Sequence, residues 1–254
     1  MNTVSIFGRI LAYIKAGQLK LMLLELLIVA AGIFLGFQVD KWYEHRQDLE
    51  KTDEYIERLL TNINFDIKAM EQGIATTGER VDYTQLLFDS LSDPEIVYDD
   101  PVAYIRALEF ASYKWGAGST ANDSTYVELL NTGDMALIPP DIRDSLYIYH
   151  LSVKDRLDHF ITAIAGVQEE SQKRFANVYG YGDLELAYAG DSSQDIIEAQ
   201  NMAAASAADR LRSNPLAIDW LSQLRRIQRA ERRQTEIRLA LATDLAERLI
   251  AYDR

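Results

Sequence analysis

Nineteen consecutive residues, Leu21 to Val39 (LMLLELLIVAAGIFLGFQV), carry a single charge, Glu25. As an α-helix the run is roughly 28 Å long, close to the ~30 Å hydrocarbon core of a bilayer. A cleaved secretion signal has an apolar region of roughly 7 to 15 residues followed by small residues. Here the run is longer and closes on Gly36-Phe37-Gln38-Val39, so the expectation is an uncleaved transmembrane helix over 21–39. The alternative is a buried core helix, because only 14 uncharged residues follow Glu25.

The flanks bear on orientation. Arg9, Lys15 and Lys20 precede the span and Lys41, Arg46 and Lys51 follow it, so the positive-inside comparison is even. No acid precedes Glu25, whereas Asp40, Glu44, Asp48, Glu50, Asp53 and Glu54 come after the span. That asymmetry favours a cytoplasmic N-terminus and an extracytoplasmic domain over 40–254. Ile6, Phe7, Ile10, Leu11 and Ile14 recur at helical steps, so residues 1–20 read as a short cytoplasmic segment that lies amphipathically on the membrane, with Gly17 as its elbow into the span. Trp42 and Tyr43 fall at headgroup level and are expected interfacial anchors. Glu25, Gly32 and Gly36 share one helical stripe. Small residues four apart let two helices approach closely, and a neighbouring carboxyl can be satisfied across the contact, so these three are the expected transmembrane helix–helix contact.

Residues 25–46 (ELLIVAAGIFLGFQVDKWYEHR) resemble the signature of an uncharacterised family of bacterial single-span membrane proteins. The likeness rests on Glu25, Val29, Gly32, Ile33, Leu35, Gln38, Trp42, Glu44 and Arg46. Leu24, Gly36, Asp40 and Tyr43 depart from the family's usual Gly, Ala, Asn and Asn. A second, shorter similarity comprises Thr125, Tyr126, Glu128, Leu129, Gly133, Ile138, Arg143, Leu146 and Tyr149. The resemblance implies an anchored helical protein of the bacterial inner membrane and assigns it no activity.

Composition narrows the remainder. The chain has 254 residues and a formal charge of −13, and three of its bases and one of its acids fall in residues 1–39, so residues 40–254 are more acidic still. An acidic domain is a poor match for phosphate backbones, so no nucleic-acid partner is expected. Zero Cys and three His remove thiol chemistry and leave little for metal sites. Five Pro and 13 Gly are few for a turn-rich fold.

Apolar periodicity then predicts an all-α chain in which the transmembrane helix continues into a long-helix antiparallel bundle. Leu49, Ile56, Ile63 and Met70 are seven apart, with Leu60, Ile67 and Ile74 on the adjoining face, so a stalk helix is predicted over 40–76, ended by Gly73 and Gly78. A second helix is predicted over 140–178, opened by Pro140, and a third over 215–252, opened by Asn214-Pro215. The third is read along Leu216, Trp220, Leu224, Ile227, Ala230, Gln234, Ile237, Leu241, Leu245, Leu249 and Tyr252. Shorter helices are predicted over 79–92, 100–114, 124–132 and 193–212, supplying a fourth side and a cap. Alanine-rich Met202 to Ala208 reads as close helix packing.

Catalytic patterns are missing. No Glu-x-x-His pair precedes His45, His150 or His159, and no G-x-S-x-G, H-E-x-x-H or phosphate loop occurs, so neither a cofactor nor an enzyme is expected. Asp155, Asp158 and His159 form a local cluster that reads as solvated surface. Gly116 to Thr120 reads as a connection. Tyr179, Tyr181 and Tyr188 are open to two readings, core edge or recognition surface. The polar interruption from Gln228 to Glu236 reads as a register layer or the wall of an anionic-ligand pocket, with Arg232 and Arg233 as its cations. The local excess of Arg in the last third is expected to face the acids of the stalk.

The functional expectation is a membrane-anchored, non-enzymatic interaction or assembly factor whose partners are the lipid bilayer and a second copy or another membrane protein. Two alternatives are a periplasmic ligand-sensing bundle acting through a partner, and an ion-handling subunit that depends on Glu25.

Overall fold

The computed structural model describes residues 19–112, 121–190 and 193–252; the side chains of Leu19, Ser112 and 155–165 fall outside the description. Residues 1–18 of the predicted 1–20 segment and the Gly116 to Thr120 connection therefore lie outside the described residues, as do the side chains of the Asp155, Asp158 and His159 cluster. Among the described residues the regular structure is helical: α1 (Leu19–Ser92), α2 (Ile96–Asp99), α3 (Pro101–Ser112), α4 (Ser124–Thr132), a 3-10 turn (Asp134–Leu137), α5 (Pro140–Phe175), α6 (Tyr181–Ala187), α7 (Gln194–Arg212) and α8 (Pro215–Ile250). The chain divides into two compact units, Met1–Tyr55 and Ile56–Arg254.

The first unit holds the N-terminal part of α1. Lys51 lies over the Tyr55 ring at 5.9 Å, and Arg46 bridges to Glu50 at 3.2 Å.

The second unit is a bundle whose main axis is set by one spacing. On α1 the residues Ile56, Leu59, Ile63, Asp66, Met70, Thr77, Arg80, Thr84 and Leu87 are buried. Adding Gly73 to that row makes every step three or four, a 3.5-residue repeat that keeps one seam turned inward. On α8 the buried row Ala217, Leu221, Leu224, Gln228, Thr235, Arg238, Ala242, Leu245 and Leu249 follows the same rule once Glu231 is included. The two rows meet head to tail, with Thr84 Oγ1 donating to Gln228 Oε1 at 3.0 Å and Arg225 Nη1 to Gln85 Oε1 at 2.7 Å. α5 also runs antiparallel to α8: Trp220 Nε1 donates to Ser171 Oγ at 2.7 Å, while Tyr149 lies near Arg238.

α1 and α5 thus point the same way, and the chain must return between them. α2 and α3 cap one end of the unit. There Leu87, Val97, Tyr104, Ile105, Leu108, Phe175, Ala204, Ala207, Leu211, Ala217 and Leu221 form one core. α4 then docks beside Asn62 at the other end, where Leu59, Ile63, Leu129, Ile138, Ile142, Leu146 and Leu245 are all within 2% of full burial. Ala203, Ala204, Ala207 and Ala208 of α7 are buried, the close packing its alanine run predicts, and Met202 points out at 68% exposure.

Several predicted boundaries shift. Gly73 and Gly78 do not end a helix; the predicted 79–92 helix is the last part of α1. A helix-interior glycine costs only about 1 kcal/mol, less than the burial of Leu87 farther along the same seam. Gly133 does end α4, at φ 80°, a backbone conformation that favours glycine. The helix starts hold: Asp100 Oδ1 accepts from the Ala103 amide at 2.9 Å, and Asn214 Oδ1 from the Ala217 amide at 3.1 Å. α2 and α6 are not anticipated, being too short to show a period. α6 owes its place to Asp183, whose Oδ2 accepts from the Gly180 amide at 2.7 Å and from Arg210 Nη2 at 2.6 Å.

Among the described residues, Arg212–Asp209, Arg232–Glu236 and Arg248–Asp244 pair within their own helices, while Arg210 pairs with Asp183 of α6 and Arg225 donates to Gln85 of α1. Partners one turn away are reached without ordering a second element, which favours them over distant acids.

Candidate functional site

Four places in the structure carry chemistry beyond simple packing. In the first unit, α1 contains a stretch long and apolar enough to cross a membrane, none of it buried. Twelve large apolar residues between Leu21 and Val39 are 51–66% exposed. Glu25, Gly32 and Gly36 all lie on this uncovered helix, and a Cβ added at either glycine meets nothing within 4 Å. Trp42 and Tyr43 are exposed at 62% and 59%, and Arg46 lies 5.9 Å over the Trp42 ring.

The second place is the middle of the bundle seam. The inward positions there are polar: Thr77, Arg80 and Thr84 from α1, with Gln228, Thr235 and Arg238 from α8. Burial pushes the Arg80 guanidinium below its usual range, and the Glu231 carboxylate beside it pulls the other way. Arg238 Nη2 donates to Thr235 Oγ1 at 2.9 Å. Arg232 and Arg233, which the sequence offers as the cations of such a layer, are both exposed, and Arg232 bridges outward to Glu236. The interruption forms a polar layer, but its charged members are Arg80, Glu231 and Arg238.

The third place is a clasp that fastens α4 to α1 and α5. Asp66, 2% exposed, accepts from the Asn122 amide at 2.9 Å and from the Tyr149 hydroxyl at 2.7 Å. Asn62 Nδ2 donates to Thr125 Oγ1 at 2.8 Å, Asn122 Nδ2 donates to Asn62 Oδ1 at 3.0 Å, and Arg58 pairs with Glu128. The Tyr126 and His150 rings stack at 3.8 Å, tilted by 12°. Thr125, Tyr126, Glu128, Leu129, Gly133, Ile138, Leu146 and Tyr149, all but Arg143 of the shorter of the two motif similarities, therefore lie at one structural junction.

The clasp makes a pH-dependent contribution. Burial holds His150 at about 4 rather than 6.5, against the opposing pull of Asp123. The unfolded chain takes up this proton near pH 6.5 and the folded chain only near 4, so the unfolded state binds more protons between them and stability falls on acidification. The full window is worth about 3 kcal/mol. His150→Phe, which keeps a ring on Tyr126, is expected to lose less stability than the parent between pH 7 and pH 4.5 in denaturant titrations. Parallel pH profiles for the two proteins are the contrary result.

The fourth place is a cavity of about 430 Å³, inside the roughly 300–1,000 Å³ of small-molecule pockets. It lies where α3, the end of α5 and the start of α6 meet, lined by Glu109, Gln172, Phe175, Ala176, Tyr179, Gly180, Tyr181 and Leu184. Glu109 is 8% exposed and accepts from the Tyr188 hydroxyl, whose pKa burial and that carboxylate push up to about 12. Arg106, one turn back on α3, lies 4.9 Å over the Tyr188 ring and donates to the Ala187 carbonyl at 3.3 Å. Tyr179 and Tyr181 belong to this cavity, and Tyr188 stands behind its carboxylate. The sequence shows the tyrosines but not Glu109, which only the α3–α6 packing brings to them.

Among the described residues no group of three His, Cys, Asp or Glu side chains converges as a metal site would require. Compared with protein-family models, curated proteins and solved structures, the chain matches none.

Proposed function

We propose that the protein is a single-span membrane protein of the bacterial inner membrane that acts as a non-enzymatic interaction or assembly factor. Residues 1–20 lie on the cytoplasmic side, 21–39 cross the bilayer and the bundle is periplasmic. The observation that carries the reading is the uncovered apolar run of α1, since a water-soluble chain rarely leaves so large a continuous apolar surface open. Lipid covers most of it, and Gly32 and Gly36 leave a shallow face on which the span of a second copy or of a membrane partner packs.

Crosslinking in native membranes tests this. The expected product is a dimer or a defined hetero-complex, reduced about fivefold or more in the Gly32→Leu/Gly36→Leu variant, as loss of one close helix contact worth about 1–2 kcal/mol implies. Recovery as monomer alone sinks the interaction reading. A reporter fused to the C-terminus settles the orientation separately, and Glu25→Gln with unchanged ion handling removes the ion-subunit alternative.

The cavity beside Glu109 favours a second reading, in which the bundle takes a small ligand and passes the binding event to a partner.

A further inference from the structure

The clasp holds a helix that cannot stand alone. α4 has nine residues, fewer than the roughly 12–15 an isolated helix needs to persist in water, so it is helical while docked and melts when it leaves. Its one fully buried apolar side chain is Leu129. The other ties are polar or aromatic: Thr125 to Asn62, the Asn122 amide to Asp66, Glu128 to Arg58 and Tyr126 to His150. The cap-end core, shared by α3, α7 and α8 around Tyr104, Ala207 and Leu221, contains no residue of α4. Opening of α4 is therefore a local event that leaves that core closed.

His150 makes the opening sensitive to acid. Tyr126 of α4 covers one face of its ring at 3.8 Å, and Tyr149 of α5 meets it edge-on at 5.2 Å. The titratable and charged groups around it are Asp123 and Tyr126 from α4, Tyr149 from α5 with Tyr147 and Lys154 a turn to either side, and Asp66 of α1 and Arg238 of α8 behind Tyr149. Asp123 favours the protonated ring, and burial outweighs it. When α4 leaves, the covered face returns to water, so the open form takes up its proton near 6.5 and the closed form near 4. The open form binds more protons between those values, and acid favours opening. Asp66 has the opposite sign: burial raises its carboxyl, so the closed form holds that proton more firmly, and an acid-driven opening reports His150. We infer that the clasp is an acid-operated latch, in which a proton on His150 parts it from Tyr126 and frees α4 from α1 and α5 while the cap-end core stays closed. The latch works whichever side of the membrane the bundle faces.

Hydrogen exchange read by mass spectrometry on the full chain in maltoside micelles tests this, with rates corrected for the pH dependence of the intrinsic chemistry. Through His150 alone, lowering the pH from 7.5 to 5 multiplies the open fraction about thirtyfold; with Asp66 opposing, opening of the α4 amides is expected to rise about tenfold or more. Amides of Tyr104 to Leu108 and Ala203 to Leu211 are expected to keep their protection. His150→Phe, which keeps a ring on Tyr126, is expected to abolish the rise. An α4 that opens no more at pH 5 than at pH 7.5, a cap-end core that opens with it, or a rise that survives in His150→Phe overturns the latch. Should that variant fail to fold, NMR of the parent's histidine rings decides: one ring titrating near pH 4 is the expected result, and all titrating near 6.5 overturns it.

Discussion

Trp220→Ala is expected to destabilise the bundle unit by about 3–5 kcal/mol, the usual range for deleting a buried aromatic. Trp220 is 8% exposed in the core shared by α3, α5, α7 and α8. Its indole nitrogen donates to Ser171 Oγ at 2.7 Å, and the Arg174 guanidinium covers its ring at 5.5 Å. Truncation therefore opens a cavity and strips a fully buried hydroxyl of its donor. For a domain of this size each kcal/mol moves the midpoint by about 2–4 °C, so thermal unfolding should fall by roughly 6–20 °C. Trp220→Phe separates the two contributions: it keeps most of the packing and loses the hydrogen bond, at about 1–3 kcal/mol. Leu216, four residues earlier and 62% exposed, is the control and should cost about 0.5 kcal/mol or less as alanine. A Trp220→Ala protein as stable as the Leu216→Ala control would show that this core is not what holds α5 to α8.

Leu216 is also where the sequence and the structure part company. Following apolar residues alone along α8 runs through Leu216, Ala230 and Ile237, yet Leu216 and Ile237 are 62% and 46% exposed. The buried positions are Ala217, Leu221, Gln228, Thr235 and Arg238, on a row displaced from the apolar one. Hydrophobicity marks the seam only where the seam is apolar. At its ends, Trp220, Leu224, Leu245 and Leu249 are legible; in the middle, where interior residues are polar, an inward Arg238 and an outward Arg233 look alike. Continuing the three-four spacing from Leu224 through Gln228, Glu231, Thr235 and Arg238 to Ala242 recovers the row without reference to hydrophobicity. The helix starts at Asp100, Asn214 and Pro140 were legible because capping is local chemistry. Glu109 and the clasp around Asp66 were not, because each depends on elements brought together from distant parts of the chain.

The polar seam carries the second large expected effect. Arg80 is 3% exposed, and the Glu231 carboxylate stabilises its charge against burial. Removing Glu231 should leave the buried Arg80 charge without that counter-charge, at an expected cost of about 3–5 kcal/mol for Glu231→Leu, and Arg80→Met, which leaves the half-buried Glu231, is expected to cost somewhat less. The Arg80→Met/Glu231→Leu double variant should recover most of that loss, because neither desolvation penalty is then incurred and both replacements pack in an apolar layer. A double-mutant cycle in urea reads the coupling directly, and a value of about 2 kcal/mol or more is expected. Additive losses would mean that the two charges are held by other groups in the seam. Recovery in the double variant would mean that the pair adds little net stability over an apolar layer. The role left to it is then orientation: an unlike-charged pair inside two rows of the same three-four spacing penalises registers that part Arg80 from Glu231.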